Sequence, residues 1–372
     1  MKTKVLFFVD RLLVGGIQVF LTNVLNHIDK EKFQIDLLLL DDGVDYPLEE
    51  TFKGQGIKIY KLNGVWIRKP QDLINHSKKI KEFFKERHDY NVVHMNSGSK
   101  NYPVLKYAKK YGISVRIAHS HNVDFQTNSK AQKLMGNAFK ILLKKYATDY
   151  FGCSKEAGIW LFGEKVASQN NFSVMPNAID YDKFKSNSEI RKNIRTSLNI
   201  KDDEFVVGHV GRFTHQKNHV FLINMFDLVF KQNPKFKLLL VGDGELKEDI
   251  KNQIKNLGIE KSIIFTGFKT NANDFMQAMD IFVMPSEFEG LGIVLIEAQA
   301  NGMKCFASNV VIPQEAKVSE QLEFIDLQDG EKAWAEKVIS SNLEKKNTFN
   351  DLKNRNYIIS DMVKELELIY LK

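Results

Sequence analysis

The chain has 372 residues, 43% hydrophobic and 27% charged, and its 53 Lys+Arg against 46 Asp+Glu give a formal charge of +7. That length suggests two domains, and the balance of apolar and charged residues excludes wholesale disorder. No apolar run approaches the roughly 18 residues of a membrane span, and Cys153 and Cys305, the two cysteines, make neither a disulfide framework nor a zinc site.

The first residues begin a strand and soon meet Asp10 and Arg11, without the longer apolar region and small-residue cleavage site of a signal peptide. The chain is therefore expected to stay in the cytoplasm. An apolar strand over 5–9 leads through Gly15 and Gly16 to a helix over 17–28. Strands are expected over 33–40, 56–62, 92–95, 115–118 and 150–153, with helices over 73–87 and 130–146. Strands separated by helical segments point to βαβ units and a parallel sheet with both faces covered.

The alternation restarts after a turn-rich stretch, Met175-Pro176-Asn177-Ala178-Ile179-Asp180. Helices are expected over 187–198, 219–232, 246–257, 272–279 and 291–301, with strands over 205–210, 236–241, 263–266, 281–284 and 304–307. The pattern predicts an α/β protein of two doubly wound, Rossmann-like domains joined near residue 180. Ligands in such sheets bind outside the carboxyl ends of the strands.

Charge divides between the halves. Residues 61–150 carry 18 basic and 6 acidic residues, whereas the half after residue 180 carries 26 and 28. A basic first half has an anionic partner or a solvated lysine surface. Lysines interleaved with apolar residues over 77–87 and 130–145 suit an anionic membrane surface. Nucleic acid is not expected, because the aromatics fall in helices rather than on a stacking platform.

Three stretches could carry chemistry. Gly15 and Gly16 lie between a strand and a helix, where backbone can approach a ligand. No Gly-x-Gly-x-x-Gly fingerprint and no P-loop motif is present. Arg212 and Lys217 bracket the loop after the strand over 205–210, where two cations could clamp a diphosphate. Glu289 and Glu297 flank a helix start loosened by Gly290 and Gly292. Glu297, among apolar neighbours, needs a partner to offset its burial. His215 and His219 have the spacing of metal ligands but no third ligand beside them, so no metal site is expected.

Taken in order, these motifs resemble the retaining family-4 glycosyltransferases of the GT-B fold. Gly15-Gly16, Cys153-Ser154-Lys155, Pro176-Asn177-Ala178-Ile179-Asp180, Gly211-Arg212 with Lys217, Gly242-Asp243-Gly244-Glu245-Leu246, Ile264-Phe265-Thr266-Gly267-Phe268 and Glu289 with Glu297 all fit. The stretch His119-Ser120-His121-Asn122 is similar to that of the bacterial capsule and exopolysaccharide transferases. The stretch Val310-Val311-Ile312-Pro313-Gln314-Glu315 departs from the family pattern.

The resemblance implies two Rossmann-like domains facing a central cleft. These would be an acceptor-side domain over 1–179, a nucleotide-sugar domain over 180–350, and a terminal helix within 351–372 crossing back to the first. It implies that Arg212 and Lys217 hold the donor diphosphate. Glu289 would contact the transferred sugar and Glu297 the ribose. Gly290, Leu291 and Gly292 would offer backbone amides, and Gly15 and Gly16 would shape the site from the first domain. His121 or His119 would stand near the reacting sugar carbon. The implied reaction moves a sugar, with retention and without a metal, from a nucleotide-diphosphate donor, UDP-linked, to a lipid-linked or saccharide acceptor in surface polysaccharide synthesis. The donor is a substrate, and no cofactor is expected. The enzyme would be cytoplasmic, peripheral on the inner membrane face. The alternatives are a non-hydrolysing sugar-nucleotide epimerase of the same fold and a catalytically silent GT-B subunit that positions a partner.

Overall fold

The computed structural model describes residues 2–12, 16–63, 72–122, 124, 129–289, 291–309 and 313–372. The chain forms two compact units, one of residues 1–178 with 359–372 and one of residues 179–358.

Unit 1 is built on β1 (Thr3–Val9), β2 (Phe33–Asp41), β3 (Lys58–Asn63), β4 (Val92–Asn96), β5 (Val115–Ser120), β6 (Asp149–Gly152) and β7 (Phe172–Val174). They lie in the order β3-β2-β1-β4-β5-β6-β7, every neighbouring pair parallel. Strand side chains alternate between two faces, and each face of this sheet has its own core. Val5, Phe7 and Val9 pack with Phe20, Leu21 and Val24 of the helix Gly16–His27, while Leu6 and Phe8 pack with Ile80 and Phe84 of the helix Asp72–Glu86. Burying one such side chain contributes roughly 2–3 kcal/mol. Burial on both faces is why these strands read as unbroken apolar runs.

Unit 2 repeats the plan with β8 (Phe205–Val210), β9 (Phe236–Val241), β10 (Ile263–Gly267), β11 (Ile281–Met284), β12 (Lys304–Ser308) and β13 (Leu322–Ile325). Their order is β10-β9-β8-β11-β12-β13, again all parallel. Both orders reverse direction once, between β1 and β4 in unit 1 and between β8 and β11 in unit 2. Such a reversal opens a crevice at the strand C-termini.

Several sequence features act as helix caps. Ser154 accepts from the Ala157 amide at 3.1 Å and starts the helix Lys155–Phe162, and Ser129 caps the helix Lys130–Tyr146. A cap of this kind contributes about 1 kcal/mol. Gly258, at φ +70°, ends the helix Lys247–Leu257 in the left-handed conformation that glycine adopts without penalty.

The sequence reading missed β7 and β13, whose three and four residues are too short to show a period. The stretch after Asn309 that departs from the family pattern leads into β13, which pairs with β12. The segment 351–372, expected as a returning helix, is divided. The helix Phe349–Asn354 belongs to unit 2, and the helix Ile359–Tyr370 belongs to unit 1. The latter buries Ile359, Met362, Val363, Leu366, Ile369 and Tyr370, and Glu367 accepts from the Asp29 amide at 2.8 Å.

Candidate functional site

In unit 2 the loops after β8 and β11 flank the crevice. The loop after β8 closes as a 3-10 turn, His215–Lys217, and Asn218 in left-handed conformation caps the helix His219–Gln232. Glu289, on the loop after β11, accepts from Gln216 Nε2 at 2.6 Å and from Lys217 Nζ at 2.7 Å. The side chains of Lys217 and Glu289 are only 14% and 9% exposed. The Glu287 amide donates to the Gln216 carbonyl at 2.9 Å, so backbone also ties the loops together. Gln216 was not singled out in the sequence. A lone amide in a loop carries no pattern.

The loop after β9 packs against the loop after β8. A Cβ on Gly242 would fall onto the Gly211 carbonyl oxygen, and one on Gly244 would meet the backbone of Phe213. Glycine at both positions lets the two loops nest.

Arg212 is placed differently from Lys217. Its side chain is 75% exposed and lies 3.3 Å from Glu245. The two expected clamp residues thus bracket one loop, but only Lys217 is drawn into the contact with Glu289.

Gly292, at φ +68°, forms the N-cap of the helix Ile293–Ala300, with the half-buried Leu291 just before it. Gly290 lies outside the described residues. Glu297 sits within that helix beside the buried Leu295, Ile296 and Ala298. Desolvation raises its carboxyl to about 7. Its carboxylate has no hydrogen-bond partner among the described residues. A carboxyl so placed can grip a ligand's paired hydroxyls. His209 and His219 lie beside this loop, rings 4.9 Å apart, and burial lowers both from the usual imidazole range, His219 to about 4. His209 Nδ1 bonds the Val283 carbonyl at 2.8 Å.

Unit 1 has its own cavity, of about 200 Å³, at the ends of β1, β4 and β5. Asp10, Asn96, Ser97, His119 and His121 are among the residues that line it. Asp10 Oδ1 accepts from Ser97 Oγ at 2.5 Å and from Asn101 Nδ2 at 2.7 Å, which fixes the carboxylate. His121 Nε2 meets Asn96 Oδ1 at 2.9 Å, and burial lowers its ring to about 3. His119 is fully buried, also held neutral by desolvation, and its ring centroid is 3.9 Å from that of His121. The two histidines that the sequence left as alternatives are thus neighbours in one cavity wall. Gly16 starts its helix against Asn177, whose Nδ2 would be 2.8 Å from an added Cβ. Gly15 lies outside the described residues.

Residues 190–357 match the family of glycosyl transferases group 1. The chain is 27% identical over 339 residues to the putative glycosyltransferase EpsF of Bacillus subtilis, covering 91% of this chain and 87% of that one. It is 27% identical over 307 residues to the UDP-Gal:alpha-D-GlcNAc-diphosphoundecaprenol alpha-1,3-galactosyltransferase of Escherichia coli, covering 80% and 77%. In fold it is similar to Anabaena Alr3699/HepE in complex with UDP, with a TM-score of 0.75 at 17% identity over 99% of this chain and 98% of that one. It is likewise similar to a glycosyltransferase from Rickettsia africae ESF-5, with a TM-score of 0.77 at 18% identity over 99% and 98%.

Proposed function

We propose, on the premise that residues 190–357 form a glycosyltransferase group 1 domain, that this protein transfers a sugar from a UDP-linked donor to a lipid-linked or saccharide acceptor in surface polysaccharide synthesis. The observation that carries the reading is the contact of Lys217 and Gln216 with Glu289 at the crevice of unit 2. The names of the relatives, one a UDP-galactose transferase acting on a diphosphoundecaprenol-linked sugar, support the donor and the acceptor class.

In this reading the donor lies at the β8 and β11 loops. Glu289 takes the sugar's hydroxyls. Lys217, with Arg212 swinging in from solvent, neutralises the diphosphate. The backbone around Leu291 and Gly292 offers amides, and Glu297 takes the ribose diol. The bond between the anomeric carbon and the phosphate oxygen breaks, and the acceptor oxygen bonds the same carbon from the same face. The acceptor's proton passes to the departing phosphate. Configuration is retained without a carboxylate nucleophile, and the fixed cations stabilise the charge that develops on the diphosphate.

The Asp10 cavity of unit 1, with His119 and His121 in its lining, is assigned to the acceptor. The helices Asp72–Glu86 and Lys130–Tyr146 expose lysines on the surface of unit 1, which suits an enzyme peripheral on the cytoplasmic membrane face. Among the described residues no helix is long and apolar enough to cross a membrane.

The test is a thermal-shift series with nucleotide sugars, since a ligand of the folded state raises the melting temperature by mass action, followed by measuring UDP release from the donors that shift it. A UDP-sugar should stabilise wild type and release UDP, and Glu289→Gln should abolish the release. Free epimerised donor without acceptor would turn the reading to an epimerase. No hydrolysis and no shift with any donor would turn it to a silent partner subunit.

A further inference from the structure

Unit 1 carries an ordered row of side chains ending at His119, and the transfer scheme does not use the two behind it. His94, on β4, is fully buried. Its Nδ1 lies 2.7 Å from the Tyr370 hydroxyl, which the helix Ile359–Tyr370 brings to the sheet. Its Nε2 lies 3.2 Å from His119 Nδ1, and the two rings stack 5.3 Å apart.

Counting donors and acceptors fixes the protons. Among the described residues the Tyr370 hydroxyl has His94 as its hydrogen-bond partner and no other. A buried hydroxyl hydrogen without an acceptor is costly, so Tyr370 donates to Nδ1. A neutral imidazole has one N–H. His94 therefore carries its hydrogen on Nε2 and donates it to His119 Nδ1, which leaves the His119 hydrogen on Nε2.

The neighbouring ring is fixed separately. Asn96 Nδ2 lies 3.3 Å from the His94 carbonyl, so the amide nitrogen faces that oxygen and Oδ1 faces His121. His121 must then carry its hydrogen on Nε2, and its Nδ1 is a bare acceptor. Neither His119 Nε2 nor His121 Nδ1 meets a partner among the described residues, and both atoms are buried.

We propose that Tyr370 and His94 are positioning residues that lock the proton of His119 on Nε2, so that His119 and His121, in the wall of the unit 1 cavity, hold a donor and an acceptor that no described residue pairs. That pair is the complement of a single hydroxyl, the group a sugar supplies. The opposite placement would present two acceptors and would select an ammonium or amide instead. That the hydroxyl belongs to a substrate of transfer rests on the function proposed above. The proton placement does not.

The test is nitrogen–proton correlation spectroscopy of the full chain labelled with [15N]histidine, with resonances assigned by single histidine substitutions. Wild type should show His94, His119 and His121 each as a neutral Nε2–H ring. Tyr370→Phe should leave the fold intact and turn the His119 signal into a mixture of both tautomers, with His121 unchanged. His94→Gln, whose amide can accept from Tyr370 and donate to His119, should keep the single tautomer, and His94→Leu should lose it. Wherever transfer is measurable, Tyr370→Phe should lower kcat/KM by roughly five- to tenfold, the scale of one hydrogen bond. A wild-type His119 with its proton on Nδ1, or a Tyr370→Phe spectrum that keeps a single Nε2–H ring, overturns the proposal. A wild type that turns over no donor sinks the transferase reading and leaves the spectrum to decide this one.

Discussion

Lys217 and Glu289 are partners across the switch point of unit 2, 2.7 Å apart and nearly out of solvent, each on a loop that follows a different strand. A cation in such a position serves two purposes. It holds the loop after β11 in place, and it stands at the crevice where a diphosphate's charge would develop. Arg212, exposed beside Glu245, can serve only the second.

Lys217→Ala and Arg212→Ala should therefore differ in stability and agree in turnover. Removing Lys217 leaves Glu289 buried with Gln216 alone and should cost about 3 kcal/mol, read as a lower melting temperature. Removing Arg212 should cost under about 1 kcal/mol. On the proposed function each loses a charge-assisted contact to the leaving diphosphate, worth about 2–4 kcal/mol in the transition state, so each should slow transfer by roughly two orders of magnitude. Transfer within about threefold of wild type for either variant would remove that residue from the site.

Glu297 predicts a pH-dependent stability. Its carboxyl is raised to about 7 in the folded protein, from an ordinary value of 4.5, by desolvation. The folded state therefore favours the protonated form. The stability this group contributes is fully present below about pH 4.5 and is lost as pH rises toward 7, then stays level. Glu297→Gln lacks this slope. Wild type should lose up to about 3 kcal/mol relative to that variant across the window, seen in paired urea titrations from pH 4.5 to 8. Parallel stability curves would mean that the carboxyl ionises freely in the fold. The same variant should bind UDP more weakly at pH 8.

Transfer should survive saturating EDTA. In the proposed mechanism the positive charge needed at the leaving group comes from Lys217, Arg212 and the start of the helix Ile293–Ala300. Loss of activity on chelation, restored by Mn²⁺ or Mg²⁺, would overturn this mechanism.

Vesicle binding should depend on two helices of unit 1. Asp72–Glu86 exposes Lys78, Lys81 and Lys85, whereas Lys79 is half-buried and bonded to the Asn63 carbonyl. Lys130–Tyr146 exposes Leu134 and Ile141, at 75% and 67%, along a stripe with Ala138. Sedimentation with anionic liposomes should weaken as salt rises, since the Debye length falls from about 10 Å at 0.1 M to about 3 Å at 1 M. Lys78→Ser, Lys81→Ser and Lys85→Ser together, or Leu134→Ser with Ile141→Ser, should reduce it and leave UDP binding unchanged. Equal binding to neutral and anionic vesicles at low salt would make these lysines an ordinary solvated face.

The sheets were legible in the sequence because their strands are buried on both faces. Val5–Val9 and Leu238–Val241 show as apolar runs whatever packs on them. Glu297 was legible too, as a charge among apolar neighbours. The difference between Arg212 and Lys217 was not, since both are cations on one loop and only the fold decides which is buried. His94 was illegible for another reason. It sits between Val93 and Met95 in an apolar strand, and its partner Tyr370 lies 276 positions away. A role set by a distant hydroxyl leaves no local trace.

The split of unit 1 into residues 1–178 and 359–372 has a consequence for biogenesis. The ribosome must make all of residues 179–358 before the helix Ile359–Tyr370 can dock on the helix Gly16–His27. At about 5–20 residues per second, the nascent sheet of unit 1 waits on the order of ten to forty seconds with part of its apolar face uncovered and His94 without its tyrosine. Unit 2 is a single continuous segment and can be excised at both ends as one piece. Unit 1 cannot be, and a fragment ending at residue 178 should aggregate until a peptide carrying residues 359–372 is added in trans.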